Sequence, residues 1–444
     1  MKRSFYKTLL ILALPITIQS LILASVNMAD VFMIGKLGGM QVASLGLANQ
    51  IVFLMTTFIM GVNSGAAVFI AQYHGKKDYS KVKYIVSIST ILSILMALCF
   101  WFISYITPEY IIGLYTKDPL VIVTASKYLK VVAWSYVASA VSFSFSILLR
   151  GLGESQLPML TSFLSLVVNI VLNYLLIFGN YGFPELGVEG AALATSIARG
   201  VECVVVVAVI YRRRYPIAIK LKEFFSFDMV VLKLFVVTAG AVIVNDILWA
   251  LGQTVYSAVY GRIGTESLAA INIENSFERL AVVGIIGFAN AATVMIAHKI
   301  GQGKLEEAYS DGKKFYKVSF GLALLLAIPL GLFSSKLVGM YNVDENVLRL
   351  GKYTLIAFCI SFPFKALSMT KMVGVLRGGG DTKFAMGINL IALWMVGIPG
   401  AIFAAFYLGL PIYIVYLATL AEEFVRIAIG MKRFVSKRWI NKLA

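Results

Sequence analysis

Twelve apolar segments, each about as long as a bilayer is thick, leave this chain very few ways to fold. They lie near residues 8–34, 42–72, 84–106, 119–149, 157–179, 187–211, 229–260, 267–297, 315–335, 346–374, 384–406 and 410–431. Each reaches the ~20 residues that a spanning helix needs, and several are long enough to tilt or protrude. The runs are continuous rather than alternating, so they predict helices and not the strands of a barrel. Composition agrees: 59% of the 444 residues are hydrophobic and 14% charged, with a mean hydropathy of +0.86. A water-soluble chain could not bury that much apolar surface. The expected fold class is an all-α polytopic membrane protein with twelve transmembrane helices.

The net charge of +17 reads as a topology signal rather than a nucleic-acid footprint. With the N-terminus placed in the cytosol, 25 basic residues fall in cytosolic connections, among them Lys2, Arg3, Lys76, Arg150, Arg212, Lys222, Lys299, Arg377 and Lys432. Only Lys36, Lys117, Arg262 and Lys336 fall outside. That bias predicts both termini in the cytosol of a multi-pass plasma-membrane protein. The basic rim suits anionic membrane lipid, and no nucleic-acid partner is expected. The first apolar stretch is too long for the core of a cleavable signal. Cys99, Cys203 and Cys359 lie within apolar spans and read as small buried hydrophobes without disulfides. His74 and His298 sit at helix ends with no companions at metal-ligand spacing.

The chain is internally duplicated. Gly35–Gly75 aligns without a gap on Gly261–Gly301, with 12 identities in 41 positions at an offset of 226. Asp118 and Lys127-Tyr128 are echoed by Asp344 and Lys352-Tyr353. The run Leu149-Arg150-Gly151-Leu152-Gly153-Glu154-Ser155 is echoed by Leu376-Arg377-Gly378-Gly379-Gly380-Asp381-Thr382. Two six-helix halves follow: 1–211 and 229–431, joined by a basic cytosolic linker at 212–228, with a basic tail at 432–444. Both halves begin on the same side and hold an even number of helices. The repeat is therefore parallel, with a pseudo-two-fold axis along the membrane normal.

Ionisable side chains inside the spans are the candidate functional residues, because an intramembrane charge is costly and normally faces protein or water. Asp30 is the one such group in the first span. Fifteen positions before it stands Pro15, which removes a backbone hydrogen bond and can bend the helix. Asn169 and Asn173 are four residues apart and share a helical face. With Thr195 they can hydrogen-bond Asp30 or offer oxygens to a hard monovalent cation, or simply join helices. Glu274, Asn275 and Glu278 share a face of the eighth span, with Glu278 ~16 Å from its outer end. Lys365 in the tenth span is at a depth to pair with Glu278, whereas Arg279 points to another face. Lys371 is close enough to the cytosolic end to snorkel. Arg199/Glu202 and Glu422/Arg426 have the spacing of structural helix pairs.

Taken together, the 6+6 arrangement, Asp30 followed by Gly35 and Gly38, and the L-R-G-x-G-[ED]-[ST] loop in both halves resemble the multidrug and toxic compound extrusion (MATE) family. Leu268-Ala269-Ala270, Glu278 and Gly301-Gln302-Gly303 resemble its prokaryotic branch. The resemblance implies that Asp30, Asn169, Asn173 and Thr195 form a cation-coupling site of the N-terminal half, for H⁺ or Na⁺, with Pro15 as a conformational residue. Asn173 stands where close relatives have a second aspartate, and the seventh-span acid position falls on Trp249. Glu278, with Glu274, Asn275 and Lys365, is the implied counterpart in the other half. The implied function is a cation-coupled antiporter, not an enzyme, that exports amphipathic, often cationic, organic compounds by alternating access as a monomer. No cofactor beyond the coupling ion is expected. The alternatives are a lipid-linked oligosaccharide flippase of the same superfamily, which would need a more cationic cavity, and an intramembrane transferase. The transferase would need a catalytic cluster on long outer loops, and these connections are short.

Overall fold

The computed structural model describes residues 5–443 except 221, 222, 225–227 and 342; Lys2, Arg3 and Lys222 of the charge count lie outside them. The first six passes are α1 (Phe5–Gly35), α2 (Gly39–Lys76), α3 (Tyr79–Ile106), the pair α5 (Pro119–Val132) and α6 (Ser135–Gly151), α7 (Gln156–Phe178) and α8 (Gly187–Arg212). A short α4 (Pro108–Gly113) caps the outer end of α3. The next passes are α9 (Met229–Ile263), α10 (Thr265–Gly301), α11 (Leu305–Leu332) and, after the short α12 (Ser334–Val338), α13 (Glu345–Met369). Then come α14 (Thr382–Ile391) with α15 (Ile398–Ile402), and finally α16 (Ile412–Ala418) with α17 (Leu420–Val435).

Among the described residues, ten helices are apolar and long enough to cross a membrane by themselves, and α5 with α6 makes an eleventh pass bent by 56°. The last expected span, 410–431, divides into α16 and α17 instead. The second of these carries Glu422, Glu423, Arg426, Lys432 and Arg433, too many charges for one apolar helix. Two passes owe their continuity to wider π-turns: α13 runs on through Thr370–Leu376, and α14 reaches Tyr407 through Ala392–Gly397 and Phe403–Tyr407. Such turns insert an extra residue and rotate the faces beyond them.

Two compact units divide the chain: Ile18–Ile243, and Met1–Thr17 with Val244–Ala444. Their edges fall within α1 and α9 rather than in the 212–228 linker. The edge in α1 lies two residues beyond Pro15, and α1 continues unbroken through that proline. In the linker, the Lys83 ammonium donates to Glu223 at 2.7 Å and holds that carboxyl below the usual carboxylate range. The basic tail folds back on its own unit. Trp439 is fully buried, the Asn441 N–H donates to the Gly379 carbonyl at 2.8 Å, and Arg433 Nε donates to Asp381 at 2.7 Å. A Cβ on Gly379 would run into Trp439, which accounts for a glycine where the first half has Leu152.

Small residues set the helix spacing near the polar positions. In the Ile18–Ile243 unit, Gly190 of α8 meets the backbone of α7 so closely that any Cβ would strike the Leu176 carbonyl. Overpacking of this kind costs about 1–3 kcal/mol. Gly190→Val should therefore lower the apparent melting temperature in detergent, while Gly200→Val, where an added Cβ meets open space, should leave it unchanged.

Two expectations from sequence are corrected here. Lys371 does not snorkel: it is fully buried, its Nζ donates to the Ile427 carbonyl at 3.0 Å and lies 5.2 Å from the Tyr316 ring centre. It is the second residue of a π-turn, which points it inward, and Gly430 leaves room for its stem. Of the cysteines, all free, only Cys359 is buried; Cys99 is exposed and Cys203 half-buried, because the apolar faces of α3 and α8 also supply a lipid-facing surface. Trp249 is 47% exposed, so the seventh span presents an apolar ring at that position.

Candidate functional site

Each unit carries its own buried polar cluster. In Ile18–Ile243, the Asn173 amide nitrogen donates to Asp30 Oδ1 at 2.6 Å and to Asn169 Oδ1 at 3.2 Å. Asn169 in turn donates to the Thr195 hydroxyl at 3.2 Å. The four residues predicted to act together are thus joined in one line across α1, α7 and α8. Asp30 is 4% exposed, Asn169 1% and Asn173 0%. Helical periodicity is the cause: residues 169 and 173 are one turn apart on α7, and Gly190 lets α8 bring Thr195 up to them.

The electrostatics of this line are unusual. The groups that hydrogen-bond the Asp30 carboxylate, Asn173 first among them, are neutral, and among the described residues no lysine or arginine is ion-paired with it. The buried Asn173 Oδ1, beside that carboxylate, has no hydrogen-bond partner among the described residues. A buried acceptor without a donor costs about 1–3 kcal/mol, and an unpaired buried carboxylate costs more. Both penalties fall when a cation or a proton arrives. The set is all oxygen donors, which suits a hard monovalent cation. Among the described residues no group of three or more His, Cys, Asp or Glu could hold a metal.

In the other unit, Lys365 Nζ donates to Glu278 Oε1 at 3.0 Å and to the Tyr416 hydroxyl at 2.8 Å. The Tyr416 hydroxyl lies 3.1 Å from Glu278 Oε2 and 3.4 Å from Glu274 Oε1. The expected Lys365–Glu278 pair is therefore present, with about a quarter of each side chain exposed. Glu274 is fully buried and its Oε2 has no partner. Asn275 is half-buried and makes none of these contacts. Tyr416, which sequence reasoning missed, ties the cluster together; one tyrosine among 22 carries no signal of its own.

The pairs expected to be structural are present as well. Arg199 meets Glu202 at 2.7 Å, while Arg426 meets Glu423 at 2.8 Å and Glu422 at 3.5 Å.

Two six-helix repeats with buried ionisable groups inside their apolar helices define a polytopic membrane transporter. The MatE family model matches residues 15–175 and again 241–403, so its second match starts 226 residues after its first, the offset of the sequence duplication. The chain belongs to the MatE family, whose members are transporters and not enzymes. It is 30% identical over 420 residues to a probable multidrug resistance protein NorM of Rhizobium meliloti, covering 91% of this chain and 87% of the relative. The probable multidrug resistance protein NorM of Thermotoga maritima is 26% identical over 438 residues, covering 98% and 93%. Among solved structures, the Vibrio cholerae MATE transporter VcmN in the bent form superposes with a TM-score of 0.87 at 19% identity, covering 98% of this chain and 99% of that one. A MOP superfamily transporter from Pyrococcus furiosus, described as having a binding pocket of reverse polarity, gives 0.88 at 18% identity over 98% and 97%.

Proposed function

We infer that the protein is a cation-coupled antiporter of the plasma membrane that exports amphipathic, often cationic, organic compounds, with both termini cytosolic. The observation that carries this reading is Asp30: a buried intramembrane carboxylate that accepts from the neutral Asn173 amide rather than from an ion-pair partner, next to a carbonyl oxygen unpartnered among the described residues. The names of the NorM relatives support the export of drug-like compounds. H⁺ and Na⁺ both suit the site, and no further cofactor is needed. When the cation binds, the buried charge is neutralised and the Asn173–Asp30 hydrogen bond weakens. This frees α1, near Pro15, to take its second arrangement. When the cation leaves, the carboxylate again favours an organic cation. Each ligand shifts the balance of states only by its differential affinity for them, so competition for one negative charge couples the two fluxes.

A flippase for pyrophosphate-linked lipid is less well supported, because Lys365 is engaged by Glu278 rather than left available for an anion. The test is efflux of a fluorescent organic cation from proteoliposomes holding the purified monomeric protein, with Na⁺ and pH gradients imposed separately. Efflux driven by at least one of them is expected; none under either would end this reading.

A further inference from the structure

In the Ile18–Ile243 unit, α1 and α7 are joined by two polar pins. One is Asp30–Asn173. The other is Gln19, whose amide nitrogen donates to the Ser162 hydroxyl at 2.9 Å. Both pins join residues 143 apart in sequence, so the two helices run side by side in register, with the pins three turns apart. Arg150, at the cytosolic end of α6, donates to Gln19 Oε1 at 2.6 Å. The Ser162 hydroxyl donates onward to Glu202 at 2.8 Å, which Arg199 holds. The line therefore runs from a guanidinium through two neutral groups to a carboxylate.

The equivalent positions meet a second time in the other unit, with the hydrogen bond between the helices reversed and the arginine set against Asp246 instead. Adding 226 to Gln19 gives Asn245, and adding 227 to Arg150 and Ser162 gives Arg377 and Asn389. Asn389 donates to Asn245 Oδ1 at 2.7 Å, Asn245 donates to its neighbour Asp246 at 2.9 Å, and Arg377 lies 3.8 Å from Asp246. Each arginine is set by the glycine after it. A Cβ on Gly151 would come within 3.0 Å of the Ala67 carbonyl, and one on Gly378 within 2.9 Å of the Thr293 carbonyl. Ala67 and Thr293 are again 226 residues apart. Finally, the compact units meet along the chain at Thr17/Ile18 and at Ile243/Val244, so each polar residue stands two positions past the point where its helix changes unit.

We propose that Arg150–Gln19–Ser162 and Arg377–Asp246/Asn245–Asn389 are one clasp built twice, which positions α1 and α9 just beyond those crossing points and sets the rate of the conformational step of transport. These are positioning residues, distinct from the Asp30 line. The first clasp joins neutral side chains to one another and to a guanidinium, so it can open and close without a proton. It holds the middle of α1, at Gln19, while neutralisation of Asp30 releases the outer end.

The proposal rests on the transport reading, and the test separates the two. Gln19→Leu removes both hydrogen bonds at nearly constant volume. Expected are several-fold faster amide hydrogen exchange in peptides covering residues 16–27 of the purified full-length protein and at least a fivefold change in efflux turnover. The half-saturating concentration of the fluorescent cation should stay within twofold of wild type. Gln19→Asn with Ser20→Asp and Ser162→Asn rebuilds the first clasp with the residues of the second and should bring both readouts back to within twofold. Ser162→Ala, a milder change, should move them in the same direction as Gln19→Leu. Wild-type exchange and turnover in Gln19→Leu would overturn the proposal. So would a turnover loss matched by a rise in half-saturation, or failure of the rebuilt clasp. If wild type moves no cation under either gradient, the transport reading falls, and the exchange measurement still decides the clasp.

Discussion

Asp30→Asn is expected to cut ion-driven efflux severely while leaving the protein as stable as wild type or more so. The two halves of that expectation separate a coupling role from a structural one. The substitution is isosteric, and the new amide can still present an oxygen to Asn173, so the 2.6 Å contact has a replacement. What vanishes is the titratable negative charge. Removing a charge buried without a cationic partner relieves a desolvation cost, so the apparent melting temperature should hold or rise. Coupling between two ligands is typically worth about 1–3 kcal/mol, or roughly 5–150-fold, and efflux should fall within that range. The measurement is dye efflux under imposed gradients beside thermal unfolding of the same preparation. Full efflux in the variant would remove Asp30 from the mechanism; lost efflux together with a large loss of stability would make it a structural acid.

Asp30, Asn169, Asn173 and Thr195 were legible in the sequence for a reason of cost. A bilayer-spanning segment tolerates so few ionisable groups that each one stands out; helical periodicity puts Asn169 and Asn173 on one face, and the family resemblance joins them and Thr195 to Asp30. The same economy made Glu278 and Lys365 a pair, since each depth follows from 1.5 Å per residue. The twelve passes were legible because lipid leaves the backbone no choice but helix. What stayed hidden are neutral polar groups. Gln19, Ser162 and Tyr416 cost little enough that their presence in an apolar run signals nothing, and only their partners give them meaning. Lys371 was misread because depth arithmetic assumes an unbroken α-helix, and the π-turn at Thr370–Leu376 changes which face a residue occupies. The unit edges within α1 and α9 left no mark in composition, which is apolar on both sides of each edge.

Lys365→Met carries the largest expected loss of stability, because it leaves two carboxyl groups of the Val244–Ala444 unit facing one phenol. Breaking a fully buried ion pair by removing one partner costs about 3–5 kcal/mol. Here about a quarter of each side chain is exposed, so the loss should be nearer ~2–3 kcal/mol, the range of a hydrogen bond to a charged group. Most of that penalty belongs to the stranded Glu278 rather than to the missing attraction. Adding Glu278→Gln to Lys365→Met should therefore recover much of it, and the double-mutant cycle isolates the coupling. Tyr416→Phe removes a hydroxyl shared among Lys365, Glu278 and Glu274 and should cost about 1 kcal/mol. The apparent melting temperature of wild type, the two single variants, the double variant and Tyr416→Phe, five proteins in one detergent, reads all of this. A single variant as stable as wild type would show that solvent reaching the pair already screens it. The second cluster would then be a solvated charge pair rather than a buried strut. A double variant no better than the single one would place the loss in packing of the lysine stem against Tyr416, whose ring centre lies 4.8 Å from Nζ.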